Sequence, residues 1–157
     1  MKTFAIMLLV ASFSVLAKQL PPDAFVMSQT PCYGTCPEFQ VVAFPDGTTI
    51  FTGESNVESV GVYKLPSDPE LFQKIINLTD QYDFNSFRDE YGWSTAEKVC
   101  KEISTDNPST ILSLQFAGQI KTIHHYHGCR GFEREQELNQ LENKLYELLG
   151  LNAYVGR

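Results

Sequence analysis

Hydrophobic and polar positions change rhythm several times along the chain, and each change marks an element. Phe25 to Gln29 reads as a first strand, followed by the turn-rich stretch Thr30 to Pro37. Phe39 to Phe44 is apolar and β-branched, Pro45-Asp46-Gly47 is a turn signal, and Thr48 to Thr52 resumes strand composition, so these residues form a hairpin. Val57 to Leu65, with Val60 and Val62 at strand spacing, returns to the same sheet. The period then shifts. Ser67-Asp68-Pro69-Glu70 carries a capping box between Ser67 and Glu70 with a proline tolerated in the first turn, and it opens a helix reaching about Tyr82 whose buried stripe is Leu71, Phe72, Ile75 and Ile76.

Asp83 to Pro108 shows no period and reads as a long irregular loop, pinned back on the domain through Cys100. Leu112, Leu114 and Phe116 alternate on one strand, Ala117-Gly118 turns the chain, and Gln119 to Tyr126 forms the partner. Leu138, Leu141, Leu145, Leu148 and Leu149 recur at helical spacing from about Glu133, with Gly150 placed to end that helix. The order is ββββαββα. Tight turns force antiparallel neighbours, which predicts an α+β domain with an antiparallel sheet of about five to six strands and two helices on one face.

The N-terminus stands outside this pattern. Lys2 precedes an uncharged apolar run from Thr3 to Ala17, and Lys18 and polar residues follow. The run is shorter than the roughly 18 to 20 residues that span a bilayer, and Val15-Leu16-Ala17 suits a cleavage site, so residues 1–17 read as a signal peptide cut after Ala17. Residues 18–157 then make a single domain, with no later segment fit to enter a membrane. Cleavage removes one base and no acid, leaving 11 basic against 19 acidic side chains, a net charge near −8. That field repels nucleic acid and anionic lipid. The expectation is an exported monomer in the periplasm or outside the cell.

Export changes the meaning of Cys32, Cys36, Cys100 and Cys129, since an even cysteine count in an oxidising compartment reads as disulfides. Four cysteines allow three pairings. The local one, Cys32 with Cys36 and Cys100 with Cys129, is preferred because Pro31, Gly34 and Pro37 bend the first segment into a compact loop. A redox dithiol fits less well, because such pairs use two intervening residues at a helix N-terminus, whereas Pro37 follows Cys36 directly and leads into a strand.

The run Pro31-Cys32-Tyr33-Gly34-Thr35-Cys36-Pro37 and the hairpin after it resemble the opening of a bacterial exported family known as domain of unknown function 6438. Members are similar to this chain in having a Pro-initiated helix, a Thr-Asp-x-Pro segment matched by Thr105 to Pro108, a hairpin ending in Tyr and Gly matched by Tyr126 and Gly128, and a final amphipathic helix. The resemblance spans roughly residues 25 to 150. It implies the fold but no activity, so no catalytic residue is carried over. Many members have only the first two cysteines, which implies that Cys32 and Cys36 can pair and that Cys100 and Cys129 are an added pair.

Remaining chemistry is sparse. Alternation puts His125 and His127 on one strand face and His124 on the other, a spacing that can chelate a transition metal but lacks a third ligand, so they are weak metal candidates beside the reading of ordinary surface histidines. No Gly-x-Ser-x-Gly string, phosphate-cradling loop or calcium loop occurs, and no cofactor is implied. Tyr82 to Trp93 interleaves aromatic and acidic residues, which makes either a satellite core cluster or a binding surface. Tyr33, Tyr91 and Trp93 are the surface candidates. The expected function is a non-enzymatic exported domain that binds or scaffolds an unknown protein or envelope ligand, with a thiol-redox or metal-dependent envelope enzyme as the alternative.

Overall fold

The computed structural model of the chain describes residues 22–156, so the expected signal peptide lies outside the described residues. The first strand, β1 (Ala24–Gln29), alternates between buried and half-buried side chains and runs up the middle of the sheet. The expected hairpin follows as β2 (Glu38–Ala43) and β3 (Thr49–Ser55). Its turn is closed by the Phe44 amide donating to the Thr48 carbonyl at 2.9 Å and by Asp46 Oδ1 accepting the Thr48 N–H at 2.8 Å. The fourth strand, β4 (Gly61–Lys64), is shorter than its sequence pattern. The amide of Ser59, the third residue of that pattern, donates instead to the Tyr154 carbonyl at 2.9 Å.

Helix α1 (Leu71–Gln81) buries the predicted stripe but starts without the predicted capping box. Ser67 turns its hydroxyl to the Gly47 carbonyl at 3.3 Å, and Asp68 takes its place by accepting the Glu70 N–H at 2.9 Å and pairing with Lys74 at 3.0 Å. The Glu70 amide, then Lys74, hold the Asp68 carboxyl below the usual range.

The segment from Asp83 to Pro108 is not the irregular loop its sequence suggests. It contains 3₁₀ turns at Phe84–Ser86 and Trp93–Thr95, a two-residue strand β5 (Glu90–Tyr91), a single-turn helix α2 (Ala96–Val99) and another short strand, β6 (Glu102–Ile103). Each is too short to leave a period in the sequence, and the two strands are set by their partners. Strand β7 (Ser109–Phe116) and strand β8 (Gln119–Tyr126) form the second hairpin, with Ala117 and Gly118 both left-handed at φ +50° and +77°, as a two-residue turn between twisted strands requires. After β9 (Cys129–Arg130), helix α3 (Glu135–Leu148) begins two residues later than expected. The delay has a cause: Arg134 is left-handed at φ +64°, and its guanidinium reaches back to the Tyr82 carbonyl at 2.7 Å and over the Phe87 ring at 4.1 Å. Helix α4 (Asn152–Val155) closes the described chain.

The result is a mixed α+β fold with one seven-stranded sheet, ordered β4-β3-β2-β1-β7-β8-β5, and a separate ribbon of β6 with β9. Two corrections to the expected sheet follow: it has seven strands rather than five or six, and β5 lies parallel to β8. All other pairings are antiparallel. One face buries Phe25, Val41, Phe51, Leu112 and Ile123 against Leu138, Leu141 and Leu145 of α3 and the stripe of α1. Each of these leucines is fully buried and contributes roughly 1.5 to 3 kcal/mol relative to exposure. No helix among the described residues is long and apolar enough to cross a membrane.

Candidate functional site

The register decides which chemistry meets. Gln29 at the end of β1 faces Thr110 at the start of β7, and Thr110 faces His125 near the end of β8. All three belong to the helix-covered face, at the end of the sheet where the Cys32–Cys36 loop leaves β1 and β9 leaves β8. Helix α3 crosses above them and lowers Glu142 onto His125, with Nδ1 and Oε1 at 2.8 Å. His125 is 2 % exposed and Glu142 5 %. Burial pushes the Glu142 carboxyl above the usual carboxylate range, and the His125 hydrogen bond opposes that shift. The rings of Phe132 and Tyr91 stand edge-on to His125 at 5.4 and 6.3 Å and fix its plane.

His127 lies past the strand end, half-buried, its amide donating to the Pro108 carbonyl at 3.0 Å and its Nε2 2.7 Å from Thr110 Oγ1. Its ring is 4.5 Å from that of His125. A cleft of about 190 Å³ opens here, lined by Gln29, Pro108, Thr110, His127, Glu142 and Tyr146 among others. Seven polar or charged side chains are buried among the described residues, and five of them, Gln29, Ser109, Thr110, His125 and Glu142, sit at this end of the sheet. Burying a polar group costs free energy unless it is partnered, so their concentration distinguishes this end from the rest of an apolar core.

Both disulfides lie at the same end. Cys32 pairs with Cys36 and Cys100 with Cys129. The first closes the loop between β1 and β2, which is also held by the Asn56 side chain donating to the Cys36 carbonyl at 3.2 Å. The second ties α2 to β9, where the Lys101 amide donates to Arg130 and the Ser104 amide to Gly128 at 2.8 and 2.9 Å. Cys129 is therefore bridged and buried beside the histidines instead of facing them as a thiolate.

The three aromatic surface candidates part company. Tyr33 is 91 % exposed at the tip of the Cys32–Cys36 loop, and Trp93 is 56 % exposed. Tyr91 is a correction: at 4 % exposed it belongs to the core, its ring 4.2 Å from Phe132 and its hydroxyl accepting the Arg88 N–H at 3.1 Å. Alternation on β5 explains the reversal, because pairing with β8 turns Tyr91 to the same face as His125. Phe84 and Phe87 are buried as well, so most of the aromatic segment is a satellite of the core. Trp93 leans on Tyr126 with ring centroids 5.9 Å apart. Trp93→Ala is expected to cost about 1 kcal/mol, the worth of one half-exposed aromatic pair, and Tyr91→Ala several times that. Urea unfolding curves that rank the two the other way would remove Trp93 from the surface.

His125 and His127 were visible in the sequence as a pair, but Glu142, Thr110 and Gln29 were not. One signal for Glu142 existed. It falls inside the apolar arc of α3, one residue after Leu141 and four after Leu138, where an acid has no reason to sit unless something meets it.

Fold and site together define a disulfide-pinned α+β domain that gathers its buried polar chemistry under one helix at one sheet end. The chain belongs to the family described as Domain of unknown function (DUF6438), whose model matches residues 23–149, a span that includes every cleft residue named above. No curated protein matches it.

Proposed function

We propose that this is an exported, non-enzymatic binding domain of the bacterial cell envelope, and that the cleft between the sheet end and α3 is where it takes its ligand. The observation that carries this reading is the convergence of Gln29, Thr110, His127 and Glu142, from four separate parts of the chain, on one pocket at the edge of a largely apolar core. Few polar groups placed on a largely preformed cavity are the usual makeup of a ligand site. All four cysteines lie in bridges that frame this end, which supports scaffolding over the thiol-redox alternative. The bridges also support export, the condition in which disulfides persist.

The double variant His127→Ala with Asn143→Trp tests the reading. Asn143 is an exposed residue of α3 on the cleft rim, so an indole there fills the mouth without entering the core. Native mass spectrometry of protein isolated from its own cells is expected to show a bound mass on the wild type that the double variant lacks, with both melting alike. A wild type that carries nothing, or a variant that keeps the same mass, would overturn it.

A further inference from the structure

The ligand of this cleft is narrowed by the atoms that face it. One nitrogen of His125, one nitrogen of His127 and one carboxylate oxygen of Glu142 all lie within 4.8 Å of one another. Three such donors around a zinc-class ion, each at about 2.0 to 2.2 Å, stand roughly 3.3 to 3.5 Å apart when the geometry is tetrahedral. The cluster therefore needs to draw in by at most about 1.5 Å on its widest side to reach the spacing that such an ion imposes. The His125 Nδ1 to Glu142 Oε1 contact, a hydrogen bond at 2.8 Å, would open by about 0.5 Å as an ion took the place of the shared proton.

The parts are arranged as a metal site requires. His125 and Glu142 are anchored in the core, whereas His127 lies beyond the last residue of β8 and is half-buried, so most of the inward movement falls on the ligand with room to make it. Thr110 Oγ1 holds the His127 ring at Nε2 and aromatic rings wall His125, the kind of surrounding contact that orients ligating imidazoles. His127 and Glu142 both line the cleft, which leaves a further coordination position facing it for water or a bound molecule. Two imidazoles and a carboxylate favour zinc, cobalt, nickel or copper over calcium and magnesium, which take all-oxygen shells. The sulfur of Cys129 is bonded to Cys100, so the donor set is nitrogen and oxygen only.

We infer that His125, His127 and Glu142 form a site for one divalent transition-metal ion of the zinc class, with its open position on the cleft. This rests on the reading of that cleft as the binding site and names the chemistry of what it takes.

Calorimetric titration of the purified protein with zinc sulfate tests it, run on wild type, His127→Ala, Glu142→Gln and His124→Ala. His124 points to the opposite face of β8 and serves as the control. The wild type is expected to bind one ion per chain, His127→Ala and Glu142→Gln roughly 100-fold more weakly or worse, and His124→Ala as the wild type does. Zinc is also expected to raise the melting temperature of the wild type and leave that of His127→Ala unmoved. Because His127 is half-buried, this variant keeps the test decisive even if Glu142→Gln folds poorly. Zinc binding that is indifferent to His127→Ala, that falls equally in His124→Ala, or that is confined to weak surface association in the wild type would overturn the site. The two readings fail separately. A bound mass lost from the double variant together with a silent zinc titration leaves the cleft and removes the metal; zinc binding that depends on His127 and Glu142 in a protein isolated without any bound mass does the reverse.

Discussion

Replacing Cys100 and Cys129 together by alanine is expected to lower the free energy of unfolding by roughly 3.7 kcal/mol, the chain-entropy worth of a ring of about thirty residues. For a domain of this size that corresponds to a melting temperature about 10 °C lower. Removing Cys32 and Cys36 in the same way opens a far smaller ring and costs roughly 2 kcal/mol. The larger bridge also has a local task. It fastens α2 to β9, and through the ribbon of β6 with β9 it holds the segment carrying Trp93 against Tyr126. Hydrogen exchange should therefore show the amides of Lys101 and Ser104, which bond to Arg130 and Gly128, losing protection in the double alanine variant while β1 to β3 keep theirs. Denaturation curves in which the two deletions cost the same would contradict the assignment of the wider ring as the stabilising one.

Gly128→Ala is expected to cost about 3 kcal/mol, near the upper end for overpacking. A methyl group on Gly128 would press into the Ser104 carbonyl oxygen and the edge of the Tyr126 ring, well inside van der Waals contact. Neither neighbour can retreat. Ser104 is backbone, and its own amide donates to the Gly128 carbonyl at 2.9 Å. The Tyr126 hydroxyl donates to the Ser104 carbonyl at 2.6 Å and accepts the Asn107 N–H at 3.3 Å, so the ring is clamped at its far end. Gly150→Ala is the comparison. It meets nothing within 4 Å and bears only the strain of φ +67°, for which about 1 kcal/mol is the expected cost. Equal losses in the two variants would mean that backbone strain, not the close approach of the loop, explains Gly128.

The sequence was most legible where one element carries its own period. The stripe of α1 and the leucines of α3 appear in the core as their spacing requires, and the two hairpins form where Asp46-Gly47 and Ala117-Gly118 mark their turns. Both cysteine pairs join as local ring closure favours. Legibility failed in the segment from Asp83 to Pro108. Strands β5 and β6 are two residues each and owe their existence to β8 and β9, partners more than twenty residues away. Tyr91 shows the consequence: its exposure was undecidable until the face of β8 beside it was known. The expected capping box on α1 failed for a related reason, since the Gly47 carbonyl that diverts Ser67 belongs to a distant turn.

For the candidate site the division is sharper. Alternation by itself put His125 and His127 on one side of a strand and His124 on the other, because side chains of a strand must alternate. The expectation of export and an even cysteine count by themselves turned sulfur toward bridges rather than thiol chemistry. What local pattern could not supply was a third ligand or a cavity. Glu142 reaches His125 only because α3 packs across the sheet at one angle and one register, and Thr110 and Gln29 join them only because β1, β7 and β8 are neighbours. Periodicity records what a residue's own element demands of it; the meeting of side chains from four elements is fixed by packing, and packing exists only in the folded chain.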